Sequence, residues 1–313
     1  MFTFTLKKLG AGFVLLIAIP AIAFLLMGAS AGNVGRNILG PAASNEQVER
    51  LNSELGRDQP LLQQFLDWGG RALTGDLGAS WYTNEPVASA VVNRLPVTVS
   101  LVVTTTVLAA LIATVAGVAA AVYRGWVDRT VQILAIIGFA LPGFWVALML
   151  ALVFAVRLGW FPATGYIAFT ASPAGWAQSL VLPVAALALG AVASAAQQIR
   201  GAVIDTLRQD WVRTLRSRGL SARRVLFVHV LRNASVSGLT VIALQFVGLL
   251  GGAVFVERIY ALPGIGQVLS NSTAQGDIPI VLGVLIATTA IVVLVNLFID
   301  LAVAFLNPKA RQS

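Results

Sequence analysis

The stretch RTLRSRGLSARRVLFVHVLRN, residues 213–233, carries six arginines and no acid, and it lies between two long apolar segments. A chain that is 58% hydrophobic and only 11% charged falls far below the about 25% charge of soluble domains, so it reads as an integral membrane protein. In such a protein a basic island is a connection held on one side of the bilayer. The net charge of +8 follows from that preference and calls for no nucleic-acid partner. Working outward from the island, the flanking segments become spans and the island becomes the device that joins them.

A spanning helix needs about 20 mainly apolar residues. Six stretches meet this: residues 9–27, 97–122, 131–156, 179–196, 236–256 and 280–306. The first ends near Ala29-Ser30-Ala31, a pattern resembling a signal-peptidase site, but its apolar run exceeds the about 7–15 residues of a signal core, so a retained signal-anchor is expected. With the N-terminus inside, 14 of the 21 Lys and Arg fall in short cytoplasmic segments, which predicts an N-in, C-in, six-span, all-α membrane protein. The expected divisions are an N-terminal transmembrane helix over 1–32, an extracytoplasmic helical segment over 33–96, and a core of five spans over 97–306. The core contains the basic segment at about 200–233, and a cytoplasmic tail follows at 307–313.

The outer segment has helical signals of its own. Ser44-Asn45-Glu46-Gln47 has the form of a capping box, Val48, Leu51 and Leu55 recur at helical spacing, and Gly56 stands where the helix should stop. PLLQQFLDW (residues 60–68) and PVASAVVNRL (86–95) predict two further short helices. Two readings stand level: helices lying in the membrane interface, or a platform for an outside partner. In the second, Glu46, Glu49 and Glu54 on the first outer helix would meet the partner.

Several chemistries are excluded. The chain has no Cys and one His, His229, so disulfides, thiolate ligands, Cys nucleophiles and a multi-His metal site are absent. No Gly-Lys dipeptide exists, hence no P-loop, and Lys7, Lys8 and Lys309 all lie near the termini, leaving no buried Ser–Lys dyad. Asp300 is the main carboxylate expected inside a span, on one face with Asn296, which is thin support for a proton relay. If the protein pumps, its energy comes from another chain. No catalytic or metal site is assigned to it.

Residues 213–233 predict a helix ending at Arg218, a left-handed turn at Gly219, and a second helix capped by Ser221 that packs through Val225, Leu226, Val228 and Leu231. A positive loop on anionic headgroups would have the same charge. The Gly–Ser break favours a compact knob suited to a groove on a soluble partner. Gly248 and Gly252 form a GxxxG in the fifth span that allows a close helix contact, either within the chain or with a partner, the internal contact being the one expected.

DWVRTLRSRGLSARRVLFVHVLRN (210–233) resembles the cytoplasmic coupling segment of the dipeptide/oligopeptide ABC importer permeases, the binding-protein-dependent inner membrane components, where the usual reading is close to DYVRTARAKGLS…RHALRNA. The resemblance extends over nearly the whole chain, through LLQQFLDW, GDLGASW (75–81), RLPVTVSL (94–101), LGWFPATGY (158–166), LGGAVFVERIYALPGIGQVL (250–269) and VNLFIDLAVAFLNPKAR (295–311). Leu215 and Ser217 stand where alanines are usual, and Ser237-Gly238 replace a usual Ile-Pro, which leaves the end of the coupling segment open.

The resemblance implies a type I ABC importer permease fold and half of a translocation pathway. A homologous second permease would complete the pore as a heterodimer. Two ABC ATPase subunits or domains would bind ATP and Mg, and an extracytoplasmic binding protein would deliver substrate at a bacterial inner membrane. The chain itself would hold no cofactor. The implied ATPase-coupling residues are Asp210, Arg213, Thr214, Arg216, Arg218, Gly219, Leu220, Ser221, Arg223 and Arg224. Phe144, Trp145 and Gln245 lie in spans where a pathway could run. Short peptides are the implied substrate. Nickel or haem, handled by some relatives, and a secondary transporter working without ATPases are the alternatives.

Overall fold

The computed structural model describes residues 2–30 and 34–306. The expected tail, with Lys309 and Arg311, and the expected first boundary at 32/33 lie outside the described residues. Within them the regular structure is helical, apart from one isolated antiparallel bridge between Ala79 and Pro86. The helices are α1 (Phe2–Ser30), α2 (Val34–Leu39), α3 (Asn45–Glu54), α4 (Leu61–Leu73), α5 (Val87–Tyr123), α6 (Gly125–Ala140), α7 (Gly143–Leu150), α8 (Pro173–Leu207), α9 (Asp210–Ser217), α10 (Ala222–Arg224), α11 (Leu231–Ile259), α12 (Ile265–Gln275) and α13 (Ile278–Leu306). Two π-helical runs occur, Ala151–Arg157 after α7 and Val225–Val230 between α10 and α11.

Five helices are long and apolar enough to cross a bilayer: Lys8–Gly28, Val87–Tyr123, Pro173–Leu207, Ala222–Ile259 and Ile278–Phe305. The stretch 131–156, expected as one tilted span, is instead part of a bent pair, Gly125–Ala140 and Gly143–Arg157, which meet at 95°. The break falls at Leu141, whose backbone is extended at φ −86° and ψ 122°. Pro142 imposes that conformation on its predecessor and offers no N–H to continue the ladder.

Two expected boundaries fall inside continuous helices. The helix begun at Val87 runs through Pro96 into the second span, 37 residues in all. At 1.5 Å per residue it is about 55 Å long, well over the about 30 Å of a hydrocarbon core. The second helix of the basic island likewise continues into α11 as one 38-residue element. Ser237-Gly238, unlike an Ile-Pro, leave every backbone donor in place there.

The chain divides into two compact units. The first comprises Met1–Thr5, Thr98–Leu262 and Leu294–Ser313. Its centre is α8, which packs on α6, α7 and α11. Small residues make that possible, since Ala186, Ala191, Ala193, Ala195 and Ala196 are all buried. A Cβ on Gly117 of α5 would stand 2.7 Å from the Ala196 carbonyl oxygen, so that crossing admits only glycine. The expected GxxxG contact is internal but half realised: Gly252 faces Leu187 of α8, while the space at Gly248 is open.

The second unit comprises Leu6–Val97 and Pro263–Val293. In α3 the capping box forms as expected, with the Gln47 amide donating to Ser44 Oγ at 3.3 Å and the Ser44 amide to Gln47 Oε1 at 3.0 Å. The helix closes when the Gly56 and Arg57 amides turn back to the Ser53 and Asn52 carbonyls. Phe65 and Trp68 of α4 pack with Phe24 of α1 and with Ile278 and Leu282 of α13. Leu62, Leu66 and Leu73 on the same helix remain exposed. Between α12 and α13, Asp277 is 2% exposed and accepts from Ser80 Oγ at 2.5 Å and from the Trp81 amide at 3.1 Å. Residues 34–97 are therefore folded into this unit, with one apolar edge of α4 left exposed.

Candidate functional site

The basic island is a helix–turn–helix elbow in the first unit. α9 ends as its residues predict: the Gly219 amide donates to the Arg216 carbonyl at 2.9 Å and the Leu220 amide to Leu215 at 3.3 Å. Gly219 has φ +86°, the left-handed region that a side chain with Cβ resists. Ser221 then caps the next helix, accepting the Arg224 amide at 3.4 Å.

One side of the elbow is apolar and buried. Val212, Val225 and Val230 are each 0% exposed, with Leu215, Leu220 and Leu226 packed beside them. They sit on Ala113 and Ala121 of α5, on Ala195, Ile199 and Val203 of α8, and on Ala234 and Val241 of α11. Val228, expected to pack, is 52% exposed. The π-helical run explains the difference. Its wider turn places residues five apart on one side, so Val225 and Val230 bury together and Val228 faces outward.

The other side is polar. Asp210, Arg213, Thr214, Arg216, Arg218, Ser221, Arg223 and Arg224 are all exposed, and the 3.6 Å Asp210–Arg213 pair is too solvated to fix either side chain. A surface of guanidiniums on a knob whose underside grips three long helices can pass a displacement to all three. Among the described residues no group of three or more His, Asp or Glu is placed to hold a metal.

Just before the elbow, Arg200 of α8 forms a fork on Asp128 of α6, with Nε to Oδ1 at 2.5 Å and Nη2 to Oδ2 at 2.7 Å. At the other end of the unit, Thr98 Oγ1 donates to the fully buried Glu257 at 2.5 Å. Tyr260 OH donates to the Ala147 carbonyl at 2.9 Å, and its own carbonyl accepts the Gly165 amide at 2.9 Å. Burial pushes the Tyr260 phenol up to about 12, so it stays protonated and a donor. Thr98, Gly165, Glu257 and Tyr260 lie in the family-like blocks, yet the sequence reading assigned none of them a role.

Phe144 and Trp145 occupy the first turn of α7, immediately past the Pro142 break, and are 53% and 44% exposed. Gln245 is half-buried near the middle of α11, and α7 packs against α11. Glu46, Glu49 and Glu54 are exposed on α3, with Glu54 bonded to Arg50 at 3.0 Å.

A helical protein with five to six spanning elements and a charged elbow seated on three of them has the form of a membrane transport subunit. The chain belongs to the family described as binding-protein-dependent transport system inner membrane component, whose model matches residues 113–312; the corresponding N-terminal component matches residues 1–102. It is 38% identical over 307 residues to a Brucella abortus (strain 2308) protein named as a permease of a peptide transport system, covering 98% of each chain. It is 34% identical to a Sinorhizobium fredii protein named as a peptide ABC transporter permease, over 99% of this chain and 100% of that one. It is 33% identical to the glutathione transport system permease protein of Escherichia coli (strain K12), over 99% of each. With its apolar helices, the family makes this a multi-pass protein of a bacterial inner membrane.

Proposed function

We propose that the chain is one permease half of an ATP-driven importer for short peptides, and that the elbow at residues 210–224 is where ATPase subunits drive it. The observation that carries this reading is the two-sidedness of the elbow: exposed arginines outside, and an underside locked to α5, α8 and α11. ATP and Mg are held by two partner ATPases. Their closure moves the elbow and, through Val212, Val225 and Val230, the spans. A homologous second permease completes the pathway, and the bent pair α6–α7 counts as one of six spans, with both termini inside.

The peptide substrate is supported by the names of the relatives, including the glutathione permease. Phe144, Trp145 and Gln245 line the path in this reading, the first two at the break where an unwound backbone admits a side chain to the route. A binding protein delivers its cargo to the outer face, where the exposed Glu46 and Glu49 meet it.

Reconstitution tests the assignment. In proteoliposomes containing the two permeases, the ATPases and the binding protein, uptake of a labelled tripeptide should require ATP and the binding protein together. Uptake by the permeases alone under an ion gradient would replace this reading with a secondary carrier.

A further inference from the structure

The first unit contains a cavity of about 800 Å³ formed where the elbow meets the ends of α5 and α8. One wall is the last turns of α5, with Val115, Val118 and Val122. The facing wall comes from Leu226, Phe227 and Leu231 at the start of the 38-residue element. Val115 and Phe227 are 71% and 66% exposed, so the groove is open along its length.

Four arginines also line it: Arg124 at the α5–α6 junction, Arg208 at the end of α8, Arg216 on α9 and Arg223 on α10. No Asp or Glu is among the described residues lining the cavity. Arg216 and Arg223 belong to the elbow, but Arg124 and Arg208 have no part in it.

An apolar channel on spanning helices whose lining carries four guanidiniums and no acid is complementary to one kind of molecule. A soluble anion would use the rim and leave the apolar walls wet. A zwitterionic or neutral lipid would cover the walls and bring its own positive charge, or none, to four like charges. An amphiphile with a phosphate head and hydrocarbon tail satisfies both ends, and guanidinium matches phosphate oxygens in a bidentate fork. The bilayer supplies such a molecule at the depth where the spans end.

We propose that this groove binds an anionic phospholipid, its phosphate held by Arg124, Arg208, Arg216 and Arg223 and one acyl chain laid along Val115, Val118 and Phe227. The headgroup then bridges the ends of α5 and α8 to the elbow, so anionic lipid in the leaflet facing the elbow stiffens the joint through which the spans are moved. The inference rests on the membrane-spanning family assignment and is independent of the substrate.

The test is native mass spectrometry of the full chain, alone and in the assembled transporter, delipidated and titrated with phosphatidylglycerol or phosphatidylcholine. Wild type should retain phosphatidylglycerol over phosphatidylcholine by on the order of tenfold, since each Arg near an anionic head adds a sizeable increment. The pair Arg124→Gln, Arg208→Gln leaves the elbow arginines intact and should abolish the preference, whereas Arg124→Lys, Arg208→Lys should keep most of it and so exclude a folding defect. Ala119→Trp, which fills the lined groove without touching charge, should reduce binding of both lipids. Equal retention of the two lipids by wild type would overturn the proposal. So would displacement of phosphatidylglycerol by soluble glycerophosphoglycerol at equal concentration, which would make the rim a site for a soluble anion. Loss of the lipid on assembly would show that a protein partner covers the groove, and would overturn it too.

Discussion

Arg200 and Asp128 are 72 positions apart in the chain and joined by two short, parallel hydrogen bonds, with side chains only 23% and 18% exposed. The fork fixes α6 to α8 two turns before the elbow begins. Because its geometry is bidentate and partly desolvated, it should contribute more than a surface pair. Arg200→Gln and Asp128→Asn should each lower stability by about 1–3 kcal/mol, and the double variant should cost much less than their sum. Thermal unfolding of the four proteins in one detergent checks this; strictly additive losses would mean the two side chains are not coupled.

The buried Asp277 sets a pH dependence in the second unit. Burial raises its pKa, against the pull of hydrogen bonds from Ser80 and from the Trp81 and Ile280 amides. A carboxyl that binds its proton more tightly folded than unfolded costs stability while ionised. That cost disappears as pH falls through the raised folded value, and no further gain follows below the ordinary carboxylate range. Asp277→Asn imitates the protonated acid, so its melting temperature should exceed that of the wild type at neutral pH. The two should converge on acidification toward about pH 4. A gap that widens on acidification would contradict this. Asp277→Ala should instead destabilise by about 1–3 kcal/mol, because the Trp81 amide loses its acceptor.

The parts of the fold that the sequence disclosed are those decided within a few residues. The Ser44–Gln47 box, the Gly219 turn and the Ser221 cap each depend on partners three to five positions away, and each formed where the residues stand. The Leu141 break was also local, since Pro142-Gly143 is present, but uninterrupted hydropathy on both sides concealed it. The reverse happened at Pro96, where the expected boundary at 96/97 falls inside a helix that runs through it. Ser80 with Asp277, Thr98 with Glu257 and Arg200 with Asp128 are joined across more than 70 positions, and no local spacing signals such pairs. The elbow was legible as a charged knob. What it grips became visible only once α5, α8 and α11 were brought beneath it.

Gly219→Val tests the turn itself. A β-branched residue tolerates φ +86° poorly, so α9 should end differently and present Arg216 and Arg218 in altered positions. Nothing lies within 4 Å of a Cβ there, so the effect should come from the backbone and not from a clash in the core. The variant should insert in the membrane at normal levels, yet show impaired association with the ATPases or reduced peptide-stimulated ATP hydrolysis. Full stimulation would remove the turn from the coupling route.

For the proposed docking of a binding protein, Glu46→Lys with Glu49→Lys reverses two exposed charges of α3 and leaves the Arg50–Glu54 pair intact. Charge at the rim of a contact acts mainly on association rate and salt dependence. Stimulation of the transporter by loaded binding protein should fall, and the deficit should shrink as salt is raised. An unchanged response at every salt concentration would take α3 out of the docking surface and leave α4, with its exposed Leu62 and Leu66, as the edge of interest.

The central claim, that the elbow docks on ATPase subunits inside the cell, is tested most directly at Ser217. The chain has no native Cys, and Ser217 is exposed at the end of α9. In the assembled transporter, Ser217→Cys should cross-link to an ATPase subunit through a short bifunctional reagent. In intact cells it should resist an impermeant maleimide until the membrane is opened. Labelling from outside in intact cells, or cross-links in the complete complex that never include an ATPase, would contradict the account.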